Sequence, residues 1–214
     1  LAAFRRAFER GADAIELDVH VTADGAVVVH HDPTLTASAG RNAGRAITEL
    51  TLDQIRAADL DHDVGIPTLG EVLAVVPREA RVYVELKGEG VELGVISALA
   101  AADCQHAVHS FDHGAIARMR DLAPHIPRGI LYDKRSIDVV SAMRNTGARD
   151  VWPNWRLIDR ATVERIHEEG GRVIAWTVNS RRAAGSLVAL GVDGLCTDDV
   201  RLMRDLGDQV VGGG

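Results

Sequence analysis

The sequence predicts an α/β protein of the TIM-type (β/α)8 barrel class, assembled from parallel βα units. Three observations carry this expectation. From residue 81 onward, short runs rich in Val, Ile and Leu alternate with helical segments at the spacing of βα units. The 214 residues suit one larger α/β domain, read here as a single domain over 1–214. Carboxylates and a lysine recur near the C-terminal ends of two otherwise apolar strands, the end where barrels of this class gather their chemistry.

In chain order, "LAAFRRAFERGAD" places Leu1, Phe4 and Phe8 on one helical face, with Gly11 in the position of a stop. Strand-like segments follow at 14–21, 26–31, 81–87, 106–110, 128–132, 150–154, 172–178 and 193–197. Helical segments fill the later intervals at about 91–102, 113–122, 137–146, 159–169 and 180–190. The segment "AVVVHH" departs from the alternation: it follows the turn "TADG" directly and reads as the return arm of a hairpin. Residues 33–80 form a small insertion after the second barrel strand, with short helices at 51–58 and 69–76. Without the hairpin arm there are seven βα-type strands, whereas a (β/α)8 barrel needs eight. The expected first strand therefore lies ahead of Leu1, missing from these residues. A seven-stranded open α/β sheet is the alternative. No Gly-rich phosphate loop follows any strand, which weighs against it.

Composition narrows the function classes. The 24 Lys and Arg against 31 Asp and Glu give a net charge of −7, which argues against a nucleic-acid surface and requires any anionic ligand to be attracted locally. The apolar runs fall well short of the ~18 residues a bilayer span needs, so no stable membrane insertion is expected. Cys104 and Cys196 fit no metal-ligand spacing and read as small core residues in a reducing compartment. The expected location is cytoplasmic, although the chain opens inside a helix and a leader would lie ahead of it.

The stretch "GADAIELDVHVTADGAVVVHHDPTL" (11–35) sets Glu16, Asp18, His31 and Asp32 into apparent core, where charge is costly unless paired. Side chains alternate along a strand, so Glu16 and Asp18 share one face, as do Tyr83, Glu85 and Lys87 in "RVYVELKGE". Three carboxylates and one ammonium converging at one end of neighbouring strands suit a hard divalent cation, Mg²⁺ or Ca²⁺, with oxygen ligands. A buried ion-pair network, Glu85–Lys87 or Glu16 with an arginine, is the alternative. By parity His31 lies on the face of Val27 and Val29, and its imidazole suits proton transfer near neutral pH or, alternatively, caps the turn. His30 faces the other way and reads as structural. The remaining histidines, His20, His62, His106, His109, His113, His125 and His167, have no distinguishing spacing and are expected mostly at the surface or at helix ends. Trp176 sits in a strand as core or as a ligand wall, and Trp152 and Trp155 follow the sixth strand where they could line the same pocket. Ser110 and Phe111 lie nearby with no role derivable from the residues.

Taken together, that first stretch, "IPTLGEVL" (66–73), "VYVELKGE" (82–89), "HSFD" (109–112), "AWTVN" (175–179) and "GVDGLCTD" (191–198) resemble the glycerophosphodiester phosphodiesterase family in order and spacing. The resemblance runs from about residue 3 to 198. It implies a (β/α)8 barrel, one divalent cation, and hydrolysis of small-molecule glycerophosphodiesters to sn-glycerol 3-phosphate and an alcohol, by a monomer or homodimer. It further implies Glu16, Asp18 and Glu85 as metal ligands, His31 as one of two acid/base histidines, Lys87 as a phosphate contact, and Trp176 as an aromatic beside the glycerol. Attack by the substrate's own glycerol hydroxyl through a cyclic phosphate is the route the family suggests.

Two departures accompany the resemblance. The family's opening His-Arg-Gly is absent from the 214 residues, in line with the strand count and with truncation at the N-terminus, and the final "TD-x-P" is "TDDV" here. Two other functions stay open. One is a phospholipase-D-type barrel acting on lysophospholipid or sphingomyelin, against which the short loops argue. The other is a catalytically inert binding barrel, if Leu1 is the true start.

Overall fold

The structure is a computed structural model and describes residues 1–35, 40, 42–58 and 65–203. His62 and parts of the 33–80 insertion lie outside the described residues. The strands are β1 (Ala14–Val21), β2 (Val27–Val29), β3 (Arg81–Leu86), β4 (Gln105–Ser110), β5 (Arg128–Tyr132), β6 (Asp150–Pro153), β7 (Arg172–Ala175) and β8 (Gly194–Leu195). The helices are α1 (Ala2–Glu9), α2 (Leu52–Arg56), α3 (Leu69–Leu73), α4 (Glu92–Ala100), α5 (His113–Leu122), α6 (Val139–Thr146), α7 (Arg160–Glu168) and α8 (Arg181–Leu190). The strand order is β2-β1-β3-β4-β5-β6-β7-β8. Setting β2 aside, this is the serial strand–helix order of the (β/α)8 class.

By internal contacts the chain divides into two compact units, Leu1–Arg5 with Ala14–Val108 and Arg6–Asp13 with His109–Gly214. In the first unit, β1 pairs in parallel with β3, with Glu16 opposite Tyr83 and Asp18 opposite Glu85. On its other side β1 pairs antiparallel with β2, Val19 opposite Val29 and Val21 opposite Val27. The hairpin expected from "TADG" is therefore present. It closes through Thr22, whose backbone N–H donates to the Ala26 carbonyl at 2.9 Å and whose Oγ1 accepts from Ala26 N at 2.9 Å. Gly25 adopts φ 84°, a conformation a side chain would strain. In the described part of the insertion, Leu35, Ile47, Leu50, Ile55 and Ile66 pack together with Val28 of β2. Its helices α2 and α3 start at Thr51 and Thr68, each with a complete capping box to Gln54 and Glu71.

In the second unit β5, β6, β7 and β8 pair in parallel, consecutive in sequence and in space. Helices α5, α6 and α7 start at Asp112, Asp138 and Asp159, and α8 at Ser180, each capped by that residue's side chain. Helices α6 and α8 end at Gly147 and Gly191 in left-handed conformation. Among the described residues no helix is long and apolar enough to cross a membrane.

Three sequence expectations shift. The arm expected over 26–31 ends as a strand at Val29; His30 N–H still donates to the Asp18 carbonyl, and the chain then turns. Parity with Val27 and Val29 consequently does not place His31. The strand expected over 172–178 ends at Ala175, so Trp176 lies just beyond β7. Trp152, read both within the strand segment 150–154 and as following the sixth strand, is inside β6 and buried.

Candidate functional site

The candidate site grows from the alternation along β1 and β3. Ile15, Leu17 and Val19 are buried on one face of β1, and Glu16 and Asp18 lie half-buried on the other. In β3, Val82, Val84 and Leu86 occupy one face and Tyr83 and Glu85 the other, both buried. Because Asp18 stands opposite Glu85 in a parallel register, their side chains project from the same face of the pair. Lys87, just past β3, donates a backbone bond to the Val19 carbonyl at 3.1 Å and so continues the register.

These residues meet. The Lys87 Nζ lies 2.7 Å from Glu85 Oε1 and 3.2 Å from Asp18 Oδ1. Carboxylate oxygens of Glu16 and Glu85 lie within 4.8 Å of one another. Burial by itself works to lower the Lys87 pKa, but the hydrogen bonds and charges of Glu85, then Asp18, outweigh it and the ammonium is held above its ordinary value. The ion-pair network is therefore real. The Glu16 carboxylate adds a further negative charge close to Glu85. A donor set made of carboxylate oxygens is what a hard divalent cation takes, and Glu16 and Glu85 stand close enough to share one.

The chain after β2 carries the histidines. His30 N–H donates to the Asp18 carbonyl at 3.0 Å, tying this turn to the strand that bears the carboxylates. His31 is well exposed, and its Nδ1 donates to Asp32 Oδ1 at 2.8 Å. That bond is the main reason the Asp32 carboxyl sits below its usual range. In the neutral imidazole, an Nδ1–H bonded to Asp32 leaves the lone pair on Nε2. The turn-capping alternative fits less well, since the imidazole bonds a neighbouring side chain.

His20 differs from the sequence expectation. It is 6% exposed, with its Nε2 3.3 Å from the His31 carbonyl oxygen. Burial, outweighing the pull of that carbonyl, lowers its pKa. His109, on β4, is also buried, its ring centroid 4.4 Å from that of Trp152. No spacing signal distinguished either residue: the bond from His20 joins side chain to main chain across eleven residues and exists only once the hairpin forms.

Trp176 lies in the second unit and is half-buried. Its Nε1 donates to the Trp152 carbonyl at 2.8 Å, and its own carbonyl accepts from Trp155 N at 2.9 Å. The Phe111 ring meets it edge-on at 5.4 Å, and Phe111 remains 42% exposed. Trp176 thus joins both alternatives, with its polar atom used in the scaffold and its ring half open. Trp155 packs against the cluster of Ala175, Val178, Ala184 and Leu187, with the Arg156 guanidinium 4.5 Å over its ring. Of the cysteines, Cys104 is buried as expected and Cys196 only partly so.

Comparison with known proteins gives concordant results. A model of the Glycerophosphoryl diester phosphodiesterase family matches residues 1–202. The chain is 31% identical over 221 residues to a glycerophosphodiester phosphodiesterase of Caldanaerobacter subterraneus subsp. tengcongensis, covering 96% of this chain and 90% of that protein. Among solved structures, an Oleispira antarctica phosphodiesterase in complex with the product sn-glycerol-3-phosphate matches with a TM-score of 0.88 at 23% identity, covering 97% of this chain and 90% of that one. A glycerophosphodiester phosphodiesterase from Thermotoga maritima matches with a TM-score of 0.80 at 23% identity, covering 96% and 90%. These two structures share the fold expected from the strand–helix alternation.

Proposed function

Because the chain belongs to the glycerophosphoryl diester phosphodiesterase family, we propose that it hydrolyses glycerophosphodiesters to sn-glycerol 3-phosphate and an alcohol, using Glu16, Asp18 and Glu85 as ligands for one Mg²⁺ or Ca²⁺. The observation that carries this reading is the cluster in which Lys87 bridges Asp18 and Glu85 with the Glu16 carboxylate alongside. When bound, a divalent cation supplies positive charge against the phosphoryl oxygens.

The remaining work falls to side chains. Lys87 stays an ammonium and offers a donor to a phosphate oxygen as negative charge builds in the transition state. His31, oriented by Asp32 through Nδ1, moves a proton through Nε2 at the attacking or the departing oxygen. Trp176 gives an apolar surface to the glycerol carbons.

The test is turnover by the full-length protein of glycerophosphocholine and glycerophosphoethanolamine, with release of sn-glycerol 3-phosphate measured directly. EDTA should abolish it, and H31A should lower kcat by roughly 10²–10⁴, the usual contribution of a placed proton-transfer group. Calorimetric titration with Mg²⁺ and Ca²⁺ should show one saturable site that the E16Q/D18N pair removes. A protein that ignores these diesters and cleaves lysophospholipid would instead be the phospholipase-D-type enzyme.

A further inference from the structure

We propose that His20 is a positioning residue for His31: its Nε2–H holds the His31 carbonyl and fixes the turn that carries the proton-transfer imidazole. This rests on the role given above to His31.

The backbone shows why such a clamp is needed. The β1–β2 ladder ends at the Val19–Val29 pair, and His30 N–H to the Asp18 carbonyl continues it by one bond. His31 lies beyond that ladder, in a turn that Asp32 and Pro33 continue. A ring nitrogen of His20, 3.3 Å from the His31 carbonyl, takes the place of the next rung. A carbonyl only accepts, so the His20 proton must sit on Nε2.

His20 shares its face of β1 with Glu16 and Asp18 and stands opposite Val28, which is fully buried. A valine there would satisfy burial alone, and a buried imidazole needs its polar atoms used. Two restraints thus act on one residue: His20 holds the main chain of His31, and Asp32 holds its ring. Because His30 still binds Asp18 without His20, loss of the clamp should loosen the imidazole and leave the hairpin formed.

The experiment compares H20M, which keeps bulk and removes the donor, with H20Q, whose side-chain amide restores one. In full-length protein, H20M should lower kcat by roughly ten- to hundredfold, the scale of a modest misplacement of a reacting group, with KM and metal affinity little changed. H20Q should recover most of that loss. In an H31A background, H20M should add almost nothing, because its effect passes through the missing imidazole. A wild-type kcat in H20M, no rescue by H20Q, or full additivity with H31A would overturn the proposal. If H31A alone retains full activity, the role of His31 fails, and that result is distinct from a failure at His20. Should H20M not fold, nitrogen NMR of the wild-type protein decides: an Nε2–H tautomer at His20 is expected, and an Nδ1–H tautomer overturns the clamp.

Discussion

Lys87 and Tyr132 show how one residue's surroundings become a measurable quantity. Lys87 has two carboxylate partners within 3.2 Å, so its charge is secure and available to an anionic substrate. Replacing it by Met should lower kcat by roughly 10²–10³, the scale for removing one donor aimed at developing charge. Steady-state kinetics check this, and an unchanged kcat would confine Lys87 to the ion-pair network. Tyr132 is buried, and burial, helped by the charge of Asp159, pushes its phenol up to about 12. Between the ordinary value near 10 and about 12, the unfolded chain releases a proton that the folded chain keeps, so stability must fall as pH rises through that window. Y132F should make the fall shallower by about 2–3 kcal/mol at most. Denaturant melts of both proteins from pH 9 to 12 test it, and absorbance difference titration should show the lost phenol ionising only at the upper end. The carboxylates and Lys87 were legible in the sequence because polar residues in an apolar strand with period two declare a shared face. The bonds of His20 to His31 and His31 to Asp32 were not, because they depend on where a hairpin stops.

Elements were legible in their order and kind and less so at their ends. Ala14–Val21, Arg128–Tyr132 and His113–Leu122 have the bounds their residue patterns suggest. "AVVVHH" and "RVIAWTV" both stop early, at Val29 and Ala175, and a run of valines and histidines carries no sign of where its ladder ends. One pairing between elements was wholly hidden. Asp150, opening β6 with a side chain only 2% exposed, receives two bonds from Arg172 on β7, at 2.9 and 2.7 Å. These residues are 22 apart in sequence, and nothing local couples them. Removing the arginine leaves the buried carboxylate with only the longer Arg149 contact at 3.4 Å, so R172M should destabilise by roughly 2–4 kcal/mol, whereas the double change D150V/R172M should cost clearly less than R172M alone. Urea unfolding of the three proteins measures this. A double variant as unstable as R172M would mean the cost lies in packing.

On the scale of the whole molecule, net charge sets how a charged substrate arrives. With a formal charge of −7, the long-range field repels an anion, while the groups proposed to receive it, Lys87 and a bound cation, act over a few ångströms. Salt separates these two ranges. Raising ionic strength from 0.01 to 0.15 M shortens the screening length from about 30 to about 8 Å, which removes distant repulsion and largely spares a partly buried contact. For a diester of net negative charge, such as glycerophosphoglycerol with its uncharged head group, kcat/KM should therefore rise with salt while kcat stays level. Glycerophosphocholine has no net charge and supplies the control: its kcat/KM should change little over the same range. A basic approach surface would give the reverse, with kcat/KM for the anionic diester falling as salt is added. Parallel salt series on the two substrates, at a fixed saturating Mg²⁺ or Ca²⁺, distinguish the outcomes. A fall for the anionic diester would show that the placement of positive charge around the site outweighs the total, and that −7 misstates what the substrate meets.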